Sequence, residues 1–352
     1  MFSATGISEL EEAKHEVIYN KDLSGDALIE AISANNPEVL IVRSTKVPAD
    51  VINASTSLSL IIRAGAGVDN IDTDYASSKG IFVANCPGKN ATAVAELAMG
   101  LMINVDRRIS EASALLKEGK WKKGLFTKSI GLKGRTLGLI GFGNVSSRFA
   151  KRALAFEMDA IAYDVFDVKS DEVEIVATKD EVLERGDIVS LHCPATKDTK
   201  FMVNKEFLSK MKPNAVLINT ARGDLINEED LLNHLEENKD FWYATDVFQN
   251  EPSGKEADFD HPLAKHPRVY GTHHIGASTK QAENEIGQEA VRICGVFAAT
   301  GQIDDMNWVN KDRSKSRQTL VIKAQKTPSV FSEIFTSIEG FGWTINSTET
   351  LA

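Results

Sequence analysis

The chain consists of short apolar runs that alternate with longer segments of helical periodicity. Nine such runs follow one another along most of its length: VLIVR, LSLIIRAG, IFVANC, TLGLIGFG, DAIAYD, DIVSLHC, AVLINTA, FWYATDVF and RVYGTHH. Continuous apolar strands joined by crossovers of helical length are typical of parallel sheets that helices cover on both faces. The pattern therefore predicts an α/β protein with doubly wound parallel sheets.

Length and composition narrow the class of protein further. With 352 residues the chain is too long for one hydrophobic core, so we expect two domains. The formal net charge of −10 argues against a nucleic-acid-binding surface. Cys86, Cys193 and Cys294 lie far apart without CxxC spacing, which indicates neither a disulfide framework nor a zinc site. We expect a cytoplasmic protein without nucleic-acid partner, membrane partner or metal.

Two segments have a clear helical pattern. Residues 92–119 predict one long helix that stops at Gly-Lys-Trp. A helix of this length often forms a contact between domains or subunits, so the segment favours a homodimer and leaves a tetramer open. Residues 227–238 predict a shorter helix, with Asn227 as N-cap and acidic residues in the first turn.

The stretch GFGNVSS, residues 141–147, lies between an apolar run and a helical pattern. In a dinucleotide-binding turn, a first glycine such as Gly141 permits the tight turn, and a second such as Gly143 lets backbone N–H groups approach the pyrophosphate. Ser146 stands where a third glycine is usual, a position that serves helix-to-strand packing. We therefore expect dinucleotide binding to survive this serine.

Asp164 ends the next apolar run, AIAYD, at the spacing of a carboxylate that binds the adenosine ribose hydroxyls. Hydroxyls can donate to this carboxylate, whereas a 2′-phosphate would be repelled by it. The residue therefore favours NAD over NADP as cofactor. Taken alone, Asp164 fits an ordinary strand-end or capping aspartate equally well.

Several longer motifs resemble the D-2-hydroxyacid dehydrogenase family, from about residue 10 to residue 310. They are RAGAGVDNID, LKGRTLGLIGFGN, NTARGDLINEEDL, ATDVFQNEP and GTHHIGAST. Within that family, LIVRSTKV and the stretch from IIRAGAGVDNID to AELAMGLM look most like the phosphoglycerate dehydrogenases.

The resemblance implies a discontinuous first domain. Residues 1–96 and 281–311 would form a flavodoxin-like substrate domain, and residues 97–280 would form a Rossmann-type cofactor domain inserted in it, with the active site in the cleft. Residues 312–352 have a strand-helix-strand pattern that resembles the opening half of an ACT-type regulatory unit.

The resemblance also implies a catalytic trio of Arg222, Glu251 and His274. A histidine can exchange the hydroxyl proton of the substrate, and a glutamate on its far ring nitrogen orients the imidazole and stabilises its protonated form. An arginine can hold a carboxylate and polarise the developing carbonyl oxygen. Each residue alone could equally be an ordinary surface or loop residue.

The family's binding residues map onto this sequence as well. Backbone N–H groups near Ala66 and Gly67 would bind the substrate carboxylate, and Arg43, Lys46 and Arg63 would bind a phosphate unless they are simply solvated surface cations. Asn144 is a departure, since a basic residue is common there. The further cofactor contacts carried over are Asn144, Val145, Cys193, Pro194, Thr220, Ala221, Asp246 and Gly276.

The activity that the resemblance implies is the NAD-dependent oxidation of D-3-phosphoglycerate to 3-phosphohydroxypyruvate, the entry to serine biosynthesis. Two alternatives stay open. The same trio could reduce another small 2-keto acid, such as glyoxylate or hydroxypyruvate. Corepressors related to the family keep the fold as an NADH-sensing scaffold, although this chain lacks the long disordered flanks that such a role favours.

Overall fold

The structure is a computed structural model that describes residues 4–252, 256–310 and 329–341. The chain divides into two compact units, Met1–Pro87 with Ile286–Ala352 and Gly88–Glu285. The sequence placed the two boundaries somewhat differently, at 96/97 and at 280/281. That one unit serves the substrate and the other the cofactor remains a prediction.

The first unit contains a three-stranded parallel sheet in the order β1-β2-β3. At its carboxyl edge Val42, Arg63 and Asn85 stand in register. Its N-terminal elements are α1 (Ala4–Glu12), α2 (Gly25–Asn35), β1 (Val39–Val42), α3 (Ala49–Asn53), β2 (Leu60–Arg63), α4 (Thr73–Ser78) and β3 (Phe82–Asn85).

The second unit contains a seven-stranded sheet, all parallel, in the order β10-β9-β8-β7-β4-β5-β6. Its helices are α5 (Ala91–Arg107), α6 (Ile109–Lys117), α7 (Asn144–Ala155), α8 (Lys179–Arg185), α9 (Lys205–Ser209), α10 (Glu228–Glu237) and α11 (Pro262–Lys265), with 3-10 turns at Lys123–Phe126 and Gly223–Leu225. Its strands are β4 (Thr136–Ile140), β5 (Asp159–Tyr163), β6 (Glu174–Ile175), β7 (Ile188–Leu191), β8 (Val216–Asn219), β9 (Trp242–Thr245) and β10 (Val269–Gly271).

Two helices follow these elements. The unit boundary at 285/286 falls inside α12 (Lys280–Thr300), and α13 (Val330–Gly340) is the helix of the predicted C-terminal strand-helix-strand. The two strands predicted beside it lie outside the described residues. Within the described ranges, no helix has the length and apolar character needed to cross a bilayer, and no group of three or more His, Cys, Asp or Glu is arranged to hold a metal.

Side chains that alternate along the strands fill separate cores on the two faces of each sheet. In the second unit, Leu137 and Leu139 of β4 pack with α5 and α7, whereas Ile140 packs with α8, α9 and α10. In the first unit, Ile61 of β2 packs with α2, α3 and α4, whereas Ile62 packs with α1 and α12. All nine apolar runs form strands, and helices cover both faces of both sheets, which confirms the predicted α/β class.

The prediction of one helix over residues 92–119 is wrong, because the segment forms two helices that are separated at Arg108 and end at Lys117. Arg108 adopts the left-handed conformation, with φ +50° and ψ +44°, and separates α5 from α6. Its guanidinium donates to both carboxylate oxygens of Glu111, at 2.8 and 2.7 Å, and to the Leu125 carbonyl at 2.9 Å. The Asn104 side chain accepts the Ser110 N–H at 2.8 Å. Polar side chains thus stabilise a break that helical periodicity does not reveal.

Two glycines with opposite surroundings test the packing around the larger sheet. A Cβ at Gly138 would lie 2.6 Å from Cγ1 of the buried Val182, whereas one at Gly100 in α5 would meet nothing within 4 Å. We expect Gly138→Ala to lower the free energy of unfolding by about 1–3 kcal/mol through overpacking. Gly100→Ala should raise it by about 0.5–1 kcal/mol, because alanine favours the helix. Urea denaturation of both variants measures the difference, and changes of the same sign would contradict it.

Candidate active site

The predicted cofactor and catalytic residues of the second unit lie along one edge of its sheet. The strand order reverses between β7 and β4. In doubly wound sheets the loops after two such strands diverge, and ligands bind at the carboxyl ends of the strands there. The predicted residues follow β4, β5, β7, β8, β9 and β10 by only a few positions. Parallel pairing therefore brings side chains from six distant stretches to the same edge.

The glycine turn after β4 packs closely on the loop after β7. Gly141 has φ +90°, and a Cβ there would lie 3.0 Å from the carbonyl carbon and oxygen of His192. Gly143 is the N-cap of α7, and no side chain caps this helix. Ser146 is fully buried, and its hydroxyl donates to the Gly143 carbonyl at 3.1 Å. The serine thus fits the helix–sheet packing with its hydroxyl satisfied, and the α7 N-terminus can receive an anion.

Asp164 lies beside this turn at the end of β5. Its Oδ2 accepts the Phe142 N–H at 2.6 Å, and its Oδ1 accepts the Phe166 N–H at 3.0 Å. A carboxylate has about four acceptor positions, so each oxygen can accept a further hydroxyl. The residue is both a strand-end aspartate and a group that fits an adenosine ribose.

The loops after β7 and β8 continue the edge. Burial raises the pKa of the Cys193 thiol to about 11, which keeps it protonated and fits a pocket wall, and Pro194 follows it at the surface. The Thr220 hydroxyl is buried without a hydrogen-bond partner among the described residues. An orphaned buried hydroxyl is costly unless a ligand or water satisfies it, so this group fits a bound dinucleotide.

His274 and Glu251 form a short hydrogen bond, with 2.6 Å between Nδ1 and Oε2. The other oxygen of Glu251 accepts the Phe248 N–H at 2.8 Å. The hydrogen bond to Glu251 raises the pKa of His274, aided by the charges of Glu251 and Asp246 and opposed by burial and Arg222. Burial would raise the pKa of Glu251, but the His274 bond and charge, the Phe248 N–H and Arg222 hold it below its usual value.

Asp246 holds the loop that carries His274. Its carboxylate, 2% exposed, accepts the Thr272 hydroxyl at 2.5 Å and the N–H groups of Ile275 and Gly276 at 2.8 and 2.7 Å. Its carbonyl accepts the His274 N–H at 2.8 Å. A Cβ at Gly276 would lie 3.0 Å from Oδ2 of Asp246. Asp246 and Gly276 therefore organise the loop. The sequence predicts, in addition, that both residues contact the cofactor.

Arg222 follows β8 in an extended conformation, and two residues that the sequence analysis missed position it. Asn219, fully buried, donates to the Arg222 carbonyl at 2.8 Å and accepts the Ala221 N–H at 3.0 Å. A Cβ at Gly223 would lie 2.2 Å from the Phe248 carbonyl, so this turn packs directly on the Glu251 loop. An asparagine that ends an apolar strand and a glycine directly after the arginine are the available sequence signals. Val145, a predicted cofactor contact after the glycine turn, lies in the first turn of α7.

The predicted substrate residues lie in the first unit, at the carboxyl edge of its sheet. Arg43 directly follows β1, half-buried, and Lys46 is exposed. Arg63 ends β2 with its guanidinium over Gly65, since a Cβ at that glycine would lie 1.5 Å from Nη1. In the same loop, the Ala66 carbonyl accepts the Asn85 side chain at 2.5 Å. Among the described residues, neither the Ala66 N–H nor the Gly67 N–H donates a hydrogen bond.

Replacement of Glu251 by glutamine tests the electrostatics of the pair. The amide keeps the shape but loses the charge, so we expect the pKa of His274 to fall in Glu251→Gln. An NMR titration of the imidazole, assigned by its loss in His274→Gln, measures the change. Glu236→Gln, which removes an exposed carboxylate on α10, should leave the His274 titration unchanged. An unchanged pKa in Glu251→Gln would contradict the assignment of the shift to this contact.

Comparison with known proteins gives consistent matches. The profile of the D-isomer specific 2-hydroxyacid dehydrogenase NAD-binding domain matches residues 99–276. A hydroxypyruvate reductase of Thermotoga maritima is 44% identical over 275 residues, 78% of this chain and 88% of that protein. A D-3-phosphoglycerate dehydrogenase of Methanocaldococcus jannaschii is 43% identical over 277 residues, 77% of this chain but 51% of that protein. The chain therefore spans about half the length of that dehydrogenase.

A solved structure matches over a similar extent. It is the NAD⁺-bound 3-phosphoglycerate dehydrogenase of Entamoeba histolytica, with a TM-score of 0.72 and 31% identity over 86% of this chain and 94% of that one. Together with the glycine turn and the carboxylate at Asp164, these matches identify the cofactor as NAD. The chain belongs to the D-isomer specific 2-hydroxyacid dehydrogenase family, and its second unit contains the NAD-binding domain of that family.

Proposed function

We propose that this NAD-dependent dehydrogenase oxidises D-3-phosphoglycerate to 3-phosphohydroxypyruvate. The observation that carries the proposal is the group of three cations, Arg43, Lys46 and Arg63, around the carboxyl edge of the first unit's sheet. Phosphate and carboxylate groups are bound well by guanidinium forks. The N–H groups of Ala66 and Gly67, which have no acceptor within the described residues, suit the substrate carboxylate.

His274 is the proposed proton acceptor. Its Nδ1 donates to Glu251, so Nε2 is the ring nitrogen that can take the hydroxyl proton of the substrate. Bound NAD supplies the acceptor for the hydride that leaves C2 in the same step. The neutral ring is needed for oxidation and the imidazolium for reduction. Since the pKa of His274 is raised, oxidation should fall as the pH drops through that pKa, and reduction should fall as the pH rises through it.

The positive charge of Arg222 acts on the developing carbonyl oxygen in this proposal. Its effect on the pKa values of both Glu251 and His274 indicates that the guanidinium is within electrostatic reach of the pair. Cofactor binding is assigned to the α7 N-terminus, to Asp164 and to the loops after β7 and β8, with Thr220 as a hydroxyl that lacks a partner in the described structure.

Reduction of hydroxypyruvate or glyoxylate is the second candidate. It is favoured by the match to the Thermotoga maritima hydroxypyruvate reductase, because this chain covers 88% of that protein but only 51% of the Methanocaldococcus jannaschii phosphoglycerate dehydrogenase. The same trio serves both reactions. The two candidates differ in whether the cations of the first unit bind a phosphate.

A substrate panel decides between them. We expect NADH absorbance to report turnover of 3-phosphoglycerate and of 3-phosphohydroxypyruvate, with lower kcat/KM on glyoxylate and hydroxypyruvate. Arg43→Gln should lower kcat/KM for the phosphorylated pair by about 10- to 100-fold, the cost of one hydrogen bond to a charged group, and much less for hydroxypyruvate. Lys21→Gln, an exposed cation of the same unit, is the control. Equal losses on both substrate classes would favour the second candidate.

We also propose a homodimer through residues 92–119 and the segment that follows them. In the first part of this region, α5, nine side chains are buried and six of them belong to the core between the second unit's sheet and α7, so the exposed apolar surface begins at α6. From residue 109 to residue 130 no residue is buried. The exposed apolar side chains are Ile109, Leu116, Trp121, Leu125 and Ile130, with Trp121 80% exposed. Several large exposed apolar side chains within one segment favour an interface there.

Charge placed in this patch tests the dimer. We expect the wild type to elute as a dimer in size-exclusion chromatography with light scattering, and Leu116→Glu with Trp121→Glu to shift it to a monomer, since the charges would be desolvated at the interface. Met306→Glu, at an exposed apolar residue of the first unit, should leave the mass unchanged. A monomeric wild type would refute the dimer.

A further inference from the structure

A second histidine–glutamate pair lies beside the loop that carries Glu251. His261, the N-cap of α11, contacts Glu228, in the first turn of α10, with 3.0 Å between Nε2 and Oε2. Both side chains are largely buried, 11% and 21% exposed. None of the chemistry derived above uses either residue, and burial of two such polar groups has a desolvation cost.

Glu228 reaches the loop through its other oxygen. Oε1 accepts the Gln249 N–H at 3.1 Å, and the Gln249 side chain donates to the Ile226 carbonyl at 2.5 Å. Gln249, two positions before Glu251, is thus bound by its backbone and by its side chain to the segment that begins α10. A hydrogen bond from an N–H to a charged acceptor is stronger than one to a neutral group.

His261 also contacts the loop directly. Its ring centroid lies 5.1 Å from that of Phe248, and it stacks on Phe259 at 5.0 Å with an interplanar angle of 18°. The Phe248 N–H is the donor that holds Oε1 of Glu251. His261 Nδ1 is buried without a hydrogen-bond partner in the described part of the chain, so the contact of Nε2 with Glu228 is the polar contact that orients this ring.

We propose that Glu228 and His261 are positioning residues that hold the loop 247–251, so that the Glu251 carboxylate stays on Nδ1 of His274. Glu228 acts through its hydrogen bond to Gln249, and His261 acts by orienting Glu228 and by packing on Phe248. Partners of this kind, one contact removed from the reacting groups, fix the orientation of the side chains that react. The inference rests on the proposed function, in which His274 exchanges the substrate proton.

The same two helices provide a matched control. At their other ends His266 contacts Glu236, with 3.3 Å between Nε2 and Oε1. Within the described ranges, no hydrogen bond or ion pair of this second pair reaches residues 247–251. Both pairs join the same two helices, and only the first joins them to the Glu251 loop.

Titration of His274 tests the proposal without any substrate. In Glu228→Ala and His261→Ala, the pKa of His274 measured by NMR should fall toward its value in Glu251→Gln, because the carboxylate is held less well on the ring. In Glu236→Ala and His266→Ala it should stay at the wild-type value. Thermal melts of all four variants measure the loss of stability that either pair can cause, which by itself moves no titration of His274.

Kinetics of the same variants give the second readout. We expect kcat to fall about tenfold or more in Glu228→Ala and His261→Ala, with a much smaller change in the KM for NADH, and the control variants to keep the wild-type kcat. His261→Gln, which presents an amide N–H to Glu228, should recover most of the loss. In a Glu251→Gln background, Glu228→Ala should lower kcat little further, because Glu228 acts through Glu251.

Two results would contradict the positioning roles of Glu228 and His261. A His274 pKa and kcat in Glu228→Ala and His261→Ala equal to those of the control variants would overturn the proposal, as would an undiminished cost of Glu228→Ala in the Glu251→Gln background. Should Glu228→Ala fail to fold, Glu228→Gln replaces it, with the same direction expected. If the wild type turns over no 2-hydroxy acid, the proposed function fails, whereas the NMR titration still decides the positioning.

Discussion

The buried carboxylate of Asp246 is the interaction on which the candidate active site depends. His274 has φ +52°, a left-handed conformation that costs a residue other than glycine about 1–3 kcal/mol and persists only where its surroundings enforce it. One side-chain hydroxyl and three backbone N–H groups of residues 272–276 converge on Asp246 and impose that conformation. In this loop geometry Nδ1 of the imidazole faces Glu251, and the raised pKa of His274 follows from that contact.

The loops of the second unit can support one another because their backbones approach closely. Gly141 lies against the backbone of His192, where a Cβ would be a tight fit, and Gly223 lies against that of Phe248, where there is no room for a Cβ. Each contact joins the loop after one strand to the loop after a neighbouring strand. The glycine turn is therefore packed on the loop after β7, and the turn at Arg222 is packed on the loop that carries Glu251, so that a shift of one member of either pair moves the other.

Strands and motifs were accessible from the sequence because both depend on local chemistry. The apolar runs identified every strand except β6, whose two residues lie among acidic neighbours at the sheet edge and form no apolar run. Asn227 was recognised as an N-cap, and its side chain accepts the Asp230 N–H at 3.3 Å. The break at Arg108 was missed, since the contact of its guanidinium with Leu125 depends on where a later segment folds.

In the candidate site, too, local features can be read from the sequence and contacts between distant segments cannot. Apolar periodicity and the geometry of a glycine turn act within a few residues, and the parallel α/β architecture and the residue types at the strand ends can therefore be inferred from the sequence. The contacts that hold those residues become visible in the fold: Asp246 on the His274 loop, Asn219 on the Arg222 turn, and Glu228 with His261 on the Glu251 loop. The physical reason is that a buried hydrogen bond pairs groups far apart in the chain, and no local pattern records which donor a carboxylate will meet.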